Sequence, residues 1–256
     1  MRKKFTRFLA VPLIALGGLL IAGSLSAQTQ DQGILKICKV GGIGIPIGTP
    51  FTFTTTQGSA SSTTTVPAGP APGGFCMIGP SFSIGSTVTV TETIPAGDIV
   101  TNIDVAPPTR VVPGSLNLGT GTVKVQIGAG VTEVTYTNQR LGFVEICKRG
   151  HATGSFSFTI NPGNIGPFVV PAGACSPSIP VPAGTVTIHE LPNSGFAMTG
   201  CSTLPTLQQG PCDPANQNST VTVTPGDVSA ETIALISNSP KIPIPDDSGT
   251  TPNPPG

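Results

Sequence analysis

The sequence predicts an all-β chain built as two tandem β-sandwiches. Short runs of Val, Thr and Ile, such as VTVTE (88–92) and SFSFTI (155–160), alternate apolar and polar residues between turns rich in Gly, Pro and Asn, which is the period of a half-buried strand. With 33 glycines and 28 prolines among 256 residues, no stretch keeps a helical period for a useful length. The run GILKICK (33–39) returns as GFVEICK (142–148), and later landmarks repeat at a spacing of roughly 100 residues, enough for one core per copy.

Taken in order, the chain opens with MRKKFTRF, an apolar run from Leu9 to Ala22, and small residues ending SLSA. This reads as a secretory signal peptide over 1–27, cleaved after Ala27. The alternative, an uncleaved anchor, meets the difficulty that the run is short of the roughly 20 residues a bilayer span needs. The leader holds Arg2, Lys3, Lys4 and Arg7 of the chain's 12 basic residues and none of its 12 acidic ones. The mature chain is therefore acidic, which excludes a basic nucleic-acid surface. No second long apolar run follows, so no membrane contact is expected after cleavage, and the localisation read from the leader is secreted or cell-surface.

The first repeat is expected over 28–140 and the second over 141–240. In each, a first strand ends at Ile-Cys-Lys, and a second follows as FTFTT (51–55) or SFSFTI (155–160). A Pro-Ala-Gly turn then leads to the second cysteine. A later strand ends in glutamate, Glu92 or Glu190, and a final strand ends in asparagine, Asn138 or Asn238. The first copy is longer between its first two cysteines, and the run QGSASSTTT (57–65) reads as a surface-loop insertion. From 241 to 256 the chain is Pro-rich and is expected to be a disordered tail.

Six cysteines in an exported chain argue for three disulfides. Among the 15 possible connectivities, the repeat favours Cys38–Cys76 and Cys147–Cys175 at matched positions. Cys201–Cys212 would then close a local loop of the second copy. No CxxC pair occurs and only two histidines, His151 and His189, are present, so neither metal nor cofactor is expected.

Strand alternation places Leu35, Ile37 and Lys39 on one face, and Val144, Ile146 and Lys148 likewise, with the cysteines on the other. Val88, Val90 and Glu92 share a face, as do Val186, Ile188 and Glu190. Val134, Tyr136 and Asn138 do the same, as do Ala234, Ile236 and Asn238. Each copy thus sets one Lys, one Glu and one Asn at the ends of apolar faces on three strands. Burial makes a lysine a neutral nucleophile and a glutamate a proton donor. An amine held against a carboxamide, with a carboxylic acid beside both, can form an amide and release ammonia: an internal isopeptide bond. The ordinary alternative for each residue alone is a snorkelling lysine, a glutamate accepting backbone donors and a turn-forming asparagine.

This order, Gly-strand-Lys, then Glu before a Pro-containing turn, then Asn on the last strand, resembles the Cna B-type (prealbumin-like, SpaA-like) domains of bacterial surface proteins and pilins. The resemblance covers 33–140 and 142–240. It implies prealbumin-like, immunoglobulin-like sandwiches whose first and last strands are neighbours. It also implies an autocatalytic bond in which Lys39 and Lys148 are nucleophiles, Asn138 and Asn238 acceptors, and Glu92 and Glu190 the assisting acids, each acting once. The acidic residue usual after the lysine in that family is replaced here by Val40 and Arg149.

No GxSxG, HExxH, P-loop or dinucleotide fingerprint is present, so an enzyme with turnover is not expected. The function expected is a structural or adhesive surface protein whose partner is an extracellular protein or glycan. The alternative is a carbohydrate- or peptide-binding module acting through the loops at the sandwich ends, for which one Tyr and no Trp offer few stacking platforms.

Overall fold

A computed structural model describes residues 31–241; the segment expected to be a signal peptide (1–27) and the expected tail beyond Lys241 lie outside the described residues. From Asp31 to Lys241 the chain forms one compact unit. It contains two hydrophobic cores, each between two sheets. Among the described residues there is no α-helix, only three single turns of 3-10 helix.

The first sandwich sets one sheet of β4 (Phe75–Ser83), β1 (Gln32–Gly41), the first half of β8 (Val131–Gly150) and β6 (Asp98–Ala106) against another of β3 (Ala60–Pro67), β2 (Pro50–Gln57), β5 (Thr87–Thr93) and β7 (Thr122–Gln126). The second repeats this plan. One sheet is β11 (Ile179–Pro182), the second half of β8, β16 (Thr232–Pro240) and β13 (Phe196–Leu204). It faces β10 (Ile165–Pro171), β9 (Ser155–Asn161), β12 (Gly184–Glu190), β15 (Asn218–Val223) and β14 (Gln209–Asp213). Alternate residues of the central strands fill the cores: Leu35, Phe53, Val90 and Val134 in the first, Ile146, Phe158, Ile188 and Ala234 in the second, all fully buried. Each such Val, Leu, Ile or Phe side chain contributes about 1.5–3 kcal/mol by leaving water.

In both sandwiches the first and last strands lie side by side and parallel. Lys39 pairs with Tyr136 and Gly41 with Asn138; Lys148 pairs with Ile236 and Gly150 with Asn238. Two expectations are corrected. The final strand of the first repeat does not end at Asn138. β8, 20 residues long in all, runs on to Gly150 through the expected 140/141 boundary and becomes the first strand of the second sandwich. The run 57–65 is not a loop. Its first residues turn on Gly58, at φ +58°, and the rest form β3, paired to β2 from Gln57↔Ala60 to Pro50↔Pro67. Ser and Thr suit this strand because it is a solvent-facing sheet edge. The extra length of the first copy, seen in Cys–Cys separations of 38 and 28, lies mainly in the segments 42–49 and 68–74 that flank this hairpin. The Cys201–Cys212 bond closes a short local segment, with a sequence separation of 11, and in doing so joins β13 to β14, the edge strands of opposite sheets, along one side of the second sandwich. Cys38–Cys76 links β1 to β4 as directly opposed residues, and Cys147–Cys175 makes the matching link beside β11.

Candidate functional site

Three strands deliver the first trio. Lys39 comes from β1 and Asn138 from the adjacent β8, two positions beyond the lysine's partner. Glu92 comes from β5 of the facing sheet. All three are buried, with Lys39 and Asn138 wholly so. Lys39 Nζ donates to Glu92 Oε2 at 2.9 Å, and Asn138 Nδ2 donates to the other carboxyl oxygen, Glu92 Oε1. The carboxyl therefore bridges amine and carboxamide. The Phe51 ring lies 4.1 Å from the amine, and Tyr136, packed on Phe53, donates to the Val90 carbonyl at 3.0 Å.

The second trio has the same construction on β8, β12 and β16. Lys148 Nζ donates to Glu190 Oε2 at 2.9 Å and also to Asn238 Oδ1. Asn238 Nδ2 donates to Glu190 Oε1 at 2.5 Å. Phe156 lies 4.3 Å from the amine, in the role of Phe51. So all six sequence-selected residues lie in two matching clusters, each at the end of its sandwich where the chain leaves it.

Electrostatics follow from burial. Desolvation lowers the Lys39 pKa to about 8, against the opposing pull of Glu92. Desolvation also raises the Glu92 pKa, opposed by Lys39 and by the Asn138 amide. The Lys148 pKa is lowered by the same cause, against Glu190. Each change moves its group toward the neutral form that amide formation requires.

Sequence reasoning missed the phenyl rings under the two amines. Phe51 and Phe156 each open the apolar face of the second strand, so aligning FTFTT (51–55) with FSFTI (156–160) would have singled them out. It also missed Asp98, buried on β6 and bound to Arg140 at 3.0 Å. Lys36, on the outward face of β1, pairs with Glu133 at 2.8 Å. His189 contacts Asn218 at 3.0 Å, and His151 is exposed. One group with metal-ligand spacing occurs among the described residues, Glu145 with Cys147 and Cys175, but both sulfurs are in a disulfide and offer no thiolate.

No family model matches this sequence, and no curated protein matches it. Thirty chains of known structure do match. One is the Bacillus anthracis TIE protein, 17% identical, matched over 81% of this chain with a TM-score of 0.28; this chain spans only 34% of it. Another is a bacterial adhesin from Mobiluncus mulieris described as containing intramolecular disulfide, isopeptide and ester bond cross-links. It is 10% identical over 83% of this chain and 100% of that one, with a TM-score of 0.29. The major pilin from Streptococcus pyogenes is 12% identical over 81% of this chain and 98% of that one, with a TM-score of 0.24. At such identities and TM-scores, the fold assignment rests on this chain's own strand order and its two cores.

Proposed function

We propose that this chain is a secreted or cell-surface structural protein of adhesive type, made of two sandwich modules (28–140 and 141–240) that are each braced by an autocatalytic Lys–Asn isopeptide bond. The observation that supports it is the twofold occurrence of a buried carboxyl bridging a lysine amine and an asparagine carboxamide. In each module Glu92 or Glu190 takes a proton from the amine. The neutral Nζ attacks Cγ of Asn138 or Asn238. The carboxyl then delivers a proton to Nδ2 and takes one from the newly bonded nitrogen. The Nζ–Cγ bond forms, the Cγ–Nδ2 bond breaks, ammonia leaves, and the carboxyl ends protonated, holding the proton taken from the newly bonded nitrogen. Fixed contact of the reacting groups supplies the rate, since amine and carboxamide cannot diffuse apart. The reaction happens once per module, so the protein has no turnover. The partner in the adhesive role is an extracellular protein or glycan.

Intact mass of the reduced, purified protein tests the reading. Two ammonia losses are expected in the wild type, one in Lys39→Ala or Glu92→Ala, and none when Lys148→Ala is added. A wild-type mass equal to that of the mature sequence would refute it.

A further inference from the structure

The two trios match, but their surroundings do not. Asp98 opens β6, whereas Phe196 opens the matching β13. Phe196 packs edge-on against Phe156, with ring centroids 5.7 Å apart, so the second amine has aromatic neighbours on that side. In the first sandwich the same place holds a carboxyl group. The register pairs Asp98 with Arg140 and Val100 with Asn138, so Asp98 is a diagonal neighbour of the acceptor asparagine on the inner face, about 7–8 Å away backbone to backbone. Its side chain is 1% exposed. Oδ1 accepts from Arg140 Nε at 3.0 Å, while Oδ2 is buried with no hydrogen-bond partner among the described residues.

We infer that Asp98 is a positioning residue of the first site, absent from the second, whose charge holds the proton that the Lys39–Glu92 pair uses for amide formation. The inference rests on the isopeptide reading. The bond-forming state carries one proton on the pair, seated on Glu92 with Lys39 neutral. A second proton makes the amine an ammonium and blocks attack; loss of the last proton removes the acid that releases ammonia. A neighbouring anion favours the protonated form of both groups and so moves this window to higher pH. Burial is the larger influence on Lys39 and Glu92, and the Asp98 charge acts on both in the upward direction. The other groups facing the site leave this scheme intact. Arg140 pairs with Asp98 at 3.0 Å, and burial raises the Tyr136 pKa so that its phenol stays neutral.

The test uses protein recovered unfolded and unlinked from denaturant, refolded across a pH series, with ammonia loss at each site followed by peptide mass. In Asp98→Asn the pH profile of the Lys39–Asn138 bond is expected to shift to lower pH, while that of Lys148–Asn238 stays in place. Asp98→Glu is expected to restore the wild-type profile. Unchanged first-site profiles, or equal shifts at both sites, would overturn the inference. A second measurement separates this from failure of the bond itself. In Asn138→Ala protein, which cannot close the first bond, the carbon-13 shift of the Glu92 carboxyl reports its titration. Adding Asp98→Asn is expected to lower the titration midpoint, and an unmoved midpoint refutes the role of Asp98 whether or not either bond forms in the wild type.

Discussion

A buried lysine sits in each sandwich because a glutamate from the facing sheet takes up its charge and a hydrogen bond, and in the second sandwich Asn238 accepts from it as well. Removing one partner alone leaves the other charge stranded. In protein that cannot close the first bond (Asn138→Ala), adding Lys39→Ala is therefore expected to cost about 3–5 kcal/mol. The apolar pair Lys39→Met with Glu92→Leu is expected to cost far less; urea unfolding would rank them. The same unlinked protein has a defined pH dependence. Lys39 titrates at about 8 in the fold and at its ordinary 10.5 when unfolded. Between those values the unfolded chain binds the extra proton, so stability is expected to rise with pH from about 8 to 10.5, on the order of 3 kcal/mol. Glu92 has the opposite sign. Its raised pKa means that the fold binds the extra proton above the ordinary 4.5, so its contribution is complete below 4.5 and is lost as pH rises through the folded value. Denaturant midpoints measured across pH would show a minimum between the two limbs; a flat profile would contradict the burial of the pair.

Single strands carry two modules' worth of contacts, and their glycines show how closely the sheets approach. A Cβ on Gly33 would lie 2.2 Å from the Gly128 carbonyl, and one on Gly142 2.2 Å from the Thr224 carbonyl. That clearance explains why both copies of the Ile-Cys-Lys strand begin with glycine. Gly142→Ala is expected to destabilise the protein by about 1–3 kcal/mol through backbone displacement, read as a lowered Tm. The sheet-to-sheet staple Cys201–Cys212 closes a short segment, with a sequence separation of 11. Replacing both cysteines with alanine is expected to cost about 3 kcal/mol by loop-closure entropy. Hydrogen exchange should show the loss in β13 to β15 and leave the first sandwich unchanged.

At the scale of the whole molecule, the two proposed bonds share β8, since Asn138 and Lys148 lie on that one strand. Tension applied at Asp31 and Lys241 would pass along β1 to Lys39, across to Asn138, along β8 to Lys148, and across to Asn238. Neither core would lie in that path. Closing a loop of about 100 residues is also worth about 4.7 kcal/mol per bond in the chain-entropy model. Single-molecule pulling of reduced protein is expected to show almost no extension in the wild type. Lys39→Ala should release one module, a gain of roughly 300 Å of contour. Unfolding lengths that do not differ between the two proteins would contradict the shared path.

Much of this was legible in the residues. Period-two alternation has only two faces to choose from, so Lys39, Glu92 and Asn138, together with their counterparts, could be assigned to the inner face without coordinates. Repetition of the cysteines supplied the matched disulfides in the same way. Other features were not legible because they depend on contacts between segments distant in sequence. The Ser/Thr run 57–65 has loop composition, and only its full pairing with β2 makes it a strand. Asn138 looks like a strand end, because nothing local shows that the chain continues straight into the next sheet. The sequence by itself determined the all-β class, the twofold plan and the six inward-facing polar residues, since these follow from local periodicity and repetition. Only the tertiary structure decided that each trio converges on one carboxyl, that β8 belongs to both sandwiches and that Asp98 distinguishes one site from the other, because strand register and sheet stacking are set by the packing of the whole chain.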